Sequence, residues 1–315
     1  MKAIILKDFG GVENLAITEL EQPNIKPEEV LVAIKAISIN PIDVKTRAGK
    51  GVAGLLKDEQ PIILGWDISG IVEEVGAEVT ILKKGDEVFG CISFPKSGKT
   101  YAEFVAAPAA ELAIKPDNIS HHEAAAATLA ALTALQALRN YATIRPGNKV
   151  LIHAASGGVG HYAVQIAKQM GAYVIGTSSL QNKDFVLSLG ADEHLDYKAK
   201  PIENVLKDID FVLDTIGGDT IDASLAVMKT GGTIVSIPSG LNEQVVDKAK
   251  ESGKHGYTMK MKPSGEDMKI IAGFLEQGTL SSHVSKTFSF EQMAEAHLQI
   301  ESGSTVGKIV ILPNQ

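Results

Sequence analysis

Residues 149–168 read KVLIHAASGGVGHYAVQIAK. Val150-Leu151-Ile152 is a short apolar run of the kind buried on both faces of a parallel sheet. Ala155-Ser156-Gly157-Gly158-Val159-Gly160 follows, and Ala163, Val164, Ile166 and Ala167 then recur at helical spacing. The order is strand, glycine turn, helix. The turn fits G-x-G-x-x-G with Ala155 in the first glycine position. In that pattern Gly157 lets the backbone approach a pyrophosphate and Gly160 lets the helix pack close to the strand. The helix N-terminus turns its N–H groups and positive dipole end toward the phosphates. A glycine-rich turn in any α/β protein is the alternative reading, and the alternation that follows favours dinucleotide binding.

That alternation runs on through Ala172-Tyr173-Val174-Ile175-Gly176 as strand and Lys183 to Leu189 as helix. Glu193-His194-Leu195 and Asp210-Phe211-Val212-Leu213 read as strands, Thr220 to Met228 as a helix, and Gly232 to Ile237 as a closing strand. Strands separated by helices of this length predict right-handed βαβ units and a parallel sheet. Upstream, Met1 to Asn118 carries strand and turn signals with little helical period, the pattern of a compact β-rich domain. Ser120-His121-His122-Glu123 has the form of a capping box before an alanine-rich helix through Leu138, with both histidines in its exposed first turn. Beyond Pro263 lie two helix signals, around Met268 to Leu275 and from Ser289, and two strands, Val284 to Phe288 and Gly307 to Leu312. By spacing alone this tail either extends the second domain or returns to the first.

The chain has 315 residues, enough for two domains, with 44% hydrophobic and 22% charged residues. A net charge of -8 argues against nucleic acid as a main partner. No apolar run reaches the roughly 18 residues of a membrane span. MKAIILKDFGG reads as a first strand rather than a signal peptide, so a cytoplasmic location is expected. The single cysteine, Cys91, rules out an intramolecular disulfide and reads as a small buried residue.

An NAD-selective site places Asp or Glu about 20 residues past the fingerprint, on the ribose hydroxyls. Here the second strand ends Gly176-Thr177-Ser178-Ser179, with Lys183 a turn later. Hydroxyls and an ammonium suit a 2′-phosphate, so NADP(H) is the expected cofactor. An ordinary exposed helix residue is the alternative reading of Lys183. The run His255 to Met261 is expected to form a sheet-edge strand pairing two copies into a homodimer.

Several segments, taken together, resemble a known family: Asn40-Pro41-Ile42-Asp43, Gly65-Trp66-Asp67-Ile68-Ser69-Gly70, Lys84 to Gly90, AASGGVG at 154–160 and Gly307-Lys308-Ile309-Val310. The chain is similar along nearly its whole length to zinc-free quinone oxidoreductases of the zeta-crystallin type, in the medium-chain dehydrogenase/reductase superfamily. The resemblance implies an α/β protein with a GroES-like β-rich catalytic domain (1–119 and 264–315) and a Rossmann domain with a doubly wound parallel sheet (120–263). It returns the tail to the first domain and puts the active site in the interdomain cleft. Zinc-dependent members carry Cys near the Asn40 position and Gly-His-Glu at Gly65-Trp66-Asp67, and the Cys-rich lobe is missing here, so no metal is expected.

By the same resemblance Asn40 and Asp43 are catalytic and flank the nicotinamide together with Thr133. Ser156, Gly157, Gly158 and Val159 contact the pyrophosphate, and Ser178, Lys183 and Tyr197 hold the 2′-phosphate. Asp214-Thr215-Ile216-Gly217-Gly218 borders the cofactor, and the backbone around Ile237 and Pro238 meets the nicotinamide amide. The implied reaction is NADPH-dependent hydride transfer to quinones or α,β-unsaturated carbonyls. An enoyl-thioester reductase is weakened as an alternative because the loop Ala48 to Gly54 lacks a tyrosine. A non-catalytic NADPH-binding protein is the third reading.

Overall fold

The computed structural model describes residues 1–141 and 143–313. In chain order the first elements are β1 (Lys2–Leu6), β2 (Leu15–Glu19), β3 (Glu29–Ser38), α1 (Pro41–Arg47), α2 (Ala53–Leu56), β4 (Ile62–Ile63) and β5 (Asp67–Val75). β6 (Glu87–Cys91), β7 (Phe104–Pro108), β8 (Ala113–Ile114), α3 (His121–Ala126) and α4 (Leu129–Tyr141) follow. Next come β9 (Lys149–Ile152), α5 (Gly160–Gln169), β10 (Tyr173–Ser178), α6 (Lys183–Ser188), β11 (Glu193–Asp196), β12 (Ile209–Asp214) and α7 (Asp219–Val227). The remainder is β13 (Met228–Ser236), α8 (Val245–Glu251), β14 (His255–Thr258), α9 (Gly265–Glu276), β15 (Val284–Ser289), α10 (Met293–Glu301) and β16 (Lys308–Leu312).

Contacts divide the chain into two units: Met1–Leu132 with the segment from Lys262 onward, and Thr133–Met261. The first is β-rich. β15-β16-β3-β5-β6-β8 form one sheet, with β7 also paired to β3, and β2-β1-β4 form another. β16 runs antiparallel to β3, Val310 opposite Ser38 and Ile311 opposite Ile37, so the tail does return to the first unit. Ala125 and Ala126 of α3 pack with Ala36, Val310 and Leu312 in one buried cluster. This packing carries α3 into the β-rich unit and puts the division inside α4, later than the expected boundary after residue 119.

The second unit is a parallel sheet in the order β11-β10-β9-β12-β13-β14. Counted from β9 this is 3-2-1-4-5-6, the doubly wound order, whose switch point lies between β9 and β12. Leu151, Ile175, Val212 and Ile234 from its central strands pack against Ile221, Leu225 and Val245 from the helices. The run from His255 adds a sixth strand beyond the strand expected to close the series.

Two local expectations need correction. The alanine-rich stretch is two helices rather than one. The Thr128 hydroxyl bonds back to Ala125 O at 2.8 Å, and the N–H of Leu129 turns to the Asp67 carboxylate at 3.1 Å. One side-chain donor, Thr128, and one side-chain acceptor, Asp67, have captured backbone groups a continuous helix would use. His121 is half-buried instead of exposed, its Nδ1 2.7 Å from Ser69 Oγ.

Candidate active site

The fingerprint turn leaves β9 through Ala154, whose φ of 46° is rare for a residue with a side chain. Gly157 N–H then bonds Ala154 O at 2.8 Å, closing the turn. A Cβ on Gly160 would lie 2.1 Å from Ala154 O, so only glycine lets α5 begin this close to the strand. One on Gly176 would meet Val186 Cγ1 at 2.7 Å and Ala155 Cβ at 2.8 Å, so β10 also passes hard against the turn. Half-buried Gly157, Gly158 and Val159 lead into a ten-residue helix whose start takes no side-chain cap, with His161 N–H bonding Gly157 O at 3.1 Å. Bare backbone at a helix start, at the carboxyl edge of the switch point, fits a dinucleotide pyrophosphate.

Polar side chains gather beside the turn. Asn182 Nδ2 donates to Ser156 Oγ at 3.1 Å and to Ser179 Oγ at 3.3 Å. Ser178 Oγ lies 2.8 Å from His194 Nε2 and donates to Ser179 O at 3.2 Å. Lys183 is exposed at the start of α6, and Tyr197 is 58% exposed just past β11. Buried His153 follows β9. It lies between Thr177 Oγ1 at 3.1 Å and Ser224 Oγ at 2.9 Å, and burial holds its imidazole below the usual range, so it bridges strand and helix as a neutral ring.

At the end of β12, Asp214 is fully buried and serves as an anchor. Its carboxylate accepts from Ile216 N, Gly217 N, Thr220 Oγ1 and Ser236 Oγ at 2.6–3.1 Å. The loop it holds turns through Gly217 and Gly218, both left-handed, and leaves Ile216 42% exposed. Ile237 N–H bonds Asp214 O at 2.9 Å, which ties the half-buried Ile237-Pro238 segment to the same point.

In the β-rich unit Asn40 begins α1 with Pro41 in its first turn. Asp43 Oδ2 accepts the Asn40 N–H at 2.8 Å, so Asn40-Pro41-Ile42-Asp43 is a helix start rather than an isolated turn. Asn40 Nδ2 donates to Asp67 Oδ2 at 2.7 Å. Lys308 Nζ donates to Asn40 Oδ1 and to Ile39 O at 3.0 Å, 3.9 Å from Asp67. On the other side Tyr101 OH donates to Asp43 Oδ1 at 3.1 Å and lies 3.0 Å from His297 Nε2. Arg47 Nη1 is 3.5 Å from His297 Nδ1, and Arg47 also pairs with Glu301. A guanidinium only donates, so Nδ1 accepts and the Nε2 hydrogen points at Tyr101. Donors therefore run in one direction, Arg47 to His297 to Tyr101 to Asp43.

Asn40, Asp43, Arg47, Asp67, Tyr101, His297 and Lys308 are all buried. Burial, reinforced by Asp67, pushes Asp43 up to about 7 despite its donors. Burial also raises Asp67 and lowers Lys308, each opposed by the other's charge. Burial and the Arg47 charge push His297 down to about 3, so it is neutral at ordinary pH.

The fold thus groups Ser156, Gly157, Gly158, Val159, Ser178 and Lys183 at one edge of the parallel sheet. Ile216, Ile237 and Pro238 sit together beyond β12 and β13, and Asn40 and Asp43 at the start of α1. Thr133 is buried within α4. Sequence reading missed Tyr101, His297, His194 and Lys308 as site partners and took Asp214 for a bordering residue. Only the Gly307-Lys308 motif pointed toward any of them. Among the described residues no group of three or more His, Cys, Asp and Glu is placed to hold a metal ion.

Comparison with known proteins agrees with this architecture. Residues 26–117 match the Alcohol dehydrogenase GroES-like domain family and 189–311 the Zinc-binding dehydrogenase family. The chain belongs to the medium-chain dehydrogenase/reductase superfamily and is an oxidoreductase of the quinone oxidoreductase group. It is 35% identical to the mitochondrial NAD(P)H oxidoreductase RTN4IP1 of Bos taurus, over 99% of this chain and 89% of that protein. It is 32% identical to the chloroplastic NADPH-dependent alkenal/one oxidoreductase of Arabidopsis thaliana, over 99% and 80%. The solved quinone oxidoreductase of Coxiella burnetii superposes with a TM-score of 0.95 at 35% identity, over 100% and 99%. Relatives named mitochondrial and chloroplastic overturn the expectation of a cytoplasmic location. That expectation came from the first residues, which form β1 and say nothing about compartment.

Proposed function

We propose that the protein is an NADPH-dependent, zinc-independent reductase of quinones and α,β-unsaturated carbonyls. The observation that carries this reading is the cluster of Ser156, Ser178, Ser179, Asn182, Lys183 and His194 beside the fingerprint turn. These are hydroxyl, amide and cationic groups where an NAD-selective site keeps a carboxylate. The printed names of the relatives supply the acceptor classes, quinone and alkenal or enone.

The bound nicotinamide supplies a hydride. The acceptor gains that hydride at carbon or oxygen and a proton from solvent or from a protein group, giving a hydroquinone or a saturated carbonyl. The residues proposed to act are Asn40 and Asp43. Asn40 is fixed by Asp67 and Lys308, and its second Nδ2 hydrogen is a donor for a developing oxyanion. Asp43, pushed by burial up to about 7, is poised to hold or release a proton near neutral pH. Thr133 and the Ile216 and Ile237-Pro238 segments position the nicotinamide, and Tyr197 closes the adenosine end.

Zinc independence rests on chemistry already in place. Asp67 has a built-in cation in Lys308, and Trp66, fully buried, donates its indole N–H to Lys96 O at 2.6 Å where a zinc site would need a ligand. We place the substrate-handling residues in Met1–Leu132 and the segment from Lys262 onward, and the cofactor-binding residues in Thr133–Met261. The exposed edge strand β14 is the proposed homodimer contact. NADPH consumption is measured with 1,4-benzoquinone, an alkenal and a crotonyl thioester, with and without chelator. Turnover of the first two, unchanged by chelator, is expected; activity only with the thioester, or lost with chelator, contradicts the reading.

A further inference from the structure

We propose that His194 is a positioning residue that aims the Ser178 hydroxyl at a cofactor 2′-phosphate, so that selectivity for the phosphorylated dinucleotide strengthens as pH falls. This rests on the NADPH reading above and adds a residue and a pH dependence to it.

Register puts the residue there. In the parallel β10–β11 pair Gly176 is opposite His194 and Ser178 opposite Asp196. Partners across a parallel ladder present side chains to one face, and alternate residues repeat it. His194, Ser178 and Asp196 therefore share a face. The contacts a Cβ on Gly176 would make, with Val186 of α6 and Ala155 of the turn, identify it as the face carrying the phosphate-binding segments. With no side chain on Gly176, the imidazole leans toward the strand end, and Nε2 comes within 2.8 Å of Ser178 Oγ.

The hydroxyl's direction follows. Ser178 already donates its hydrogen, to Ser179 O at 3.2 Å, so Nε2 donates to the Ser178 oxygen. With its acceptor side filled by the imidazole, the Ser178 hydrogen has to point outward. The present carbonyl bond is long, and an anionic phosphate oxygen is the stronger acceptor. A valine or leucine at 194 would leave the hydroxyl free to rotate away.

Charge makes the arrangement sensitive to pH. The charged groups acting on His194 are Lys183 from α6 and Asp196 from its own strand, while the hydroxyl and amide side chains of Ser156, Ser178, Ser179 and Asn182 carry no charge. Burial, with Lys183, holds the imidazole below its usual range, and Asp196 opposes this. A phosphate of charge about -2 arriving at Ser178 favours the imidazolium, so its binding takes up a proton at His194. NADH, lacking the phosphate, brings no such change. The phosphate's own titration near its second pKa has the opposite sign, releasing a proton on binding.

The test is calorimetric binding of NADPH and NADH to the full chain and to H194Q and H194L, at about pH 6 and about pH 8, in two buffers of different ionisation enthalpy. Relative to H194Q, which carries only the phosphate's titration, the wild type is expected to lose about tenfold more of its NADPH-over-NADH preference between these pH values. It should also take up more protons than H194Q does on binding NADPH, and no more than H194Q on binding NADH. H194Q, which keeps a donor that cannot titrate, should keep a preference that no longer strengthens as pH falls, and H194L should lose most of the preference. Unchanged preference and proton uptake in both variants would overturn the role of His194 while leaving the NADPH reading intact. A wild type that binds NADH as tightly as NADPH would overturn that reading, and this inference with it.

Discussion

Asn40 and Asp67, 27 residues apart in sequence, are joined in the buried centre of the β-rich unit by an Nδ2–Oδ2 hydrogen bond of 2.7 Å. The same carboxylate receives the N–H of Leu129 and faces the Lys308 ammonium. One acidic side chain thus orients the candidate catalytic amide, begins α4 and neutralises a buried cation.

Asp67→Asn should therefore cost more than a hydrogen bond. The amide still accepts from Leu129, but Lys308 is left charged and unpaired in the interior. A loss of about 3–5 kcal/mol in denaturant unfolding is expected for the single change. Asp67→Asn with Lys308→Met should recover a large part of it, because the two sites are coupled. Additive losses would show that the pair does not act as one unit.

Asp43 and His297 tilt the pH dependence of stability in opposite directions. The folded Asp43 is raised to about 7 from an unfolded value of 3.8, so the native state holds the extra proton and stability falls as pH rises through that window. The folded His297 is lowered to about 3 from 6.5, so the unfolded state takes up the proton and stability falls as pH drops below 6.5. Each slope is at most about 1.4 kcal/mol per pH unit, and between the unfolded values of the two groups they offset. Asp43→Asn should expose the histidine slope, with stability rising with pH over that window, and His297→Gln the reverse. Urea midpoints across pH read both, and identical profiles for the two variants would refute the pairing.

Gly160→Ala probes the turn. The added methyl would overlap Ala154 O, so α5 has to move away from β9. A destabilisation of about 1–3 kcal/mol is expected, with a loss of cofactor affinity of at least roughly tenfold. Wild-type affinity in this variant would mean the turn does not seat the cofactor.

Ser178→Asp places a carboxylate where the phosphate is proposed to bind. Repulsion of the phosphate and a new acceptor for ribose hydroxyls should shift the ratio of kcat/KM for NADPH over NADH by about 10- to 100-fold toward NADH. An unchanged ratio would move the 2′-phosphate elsewhere.

Much of the fold was legible because its signals are local. The strand, turn and helix of 149–168 lie within 20 residues, and the α/β alternation after them fixes the parallel sheet. What escaped depends on distant partners. The tail could not be placed by spacing, since its position is set by Val310 opposite Ser38. Tyr101 meets Asp43 across 58 residues and His297 across 196, so neither looks like a site residue in sequence. Alanine propensity predicted one helix from 120 to 138, and Asp67, far upstream, broke it by taking the Leu129 N–H. His194 looked like any strand residue until the β10–β11 register set it beside Ser178.

The central claim, hydride transfer from NADPH to an electron-poor acceptor, is tested most directly with NADPH deuterated at the transferring carbon and an alkenal. Mass spectrometry of the saturated product is predicted to show one deuterium on carbon per NADPH consumed, with chelator present or absent. NADPH that binds without being consumed, or product without label, would contradict it.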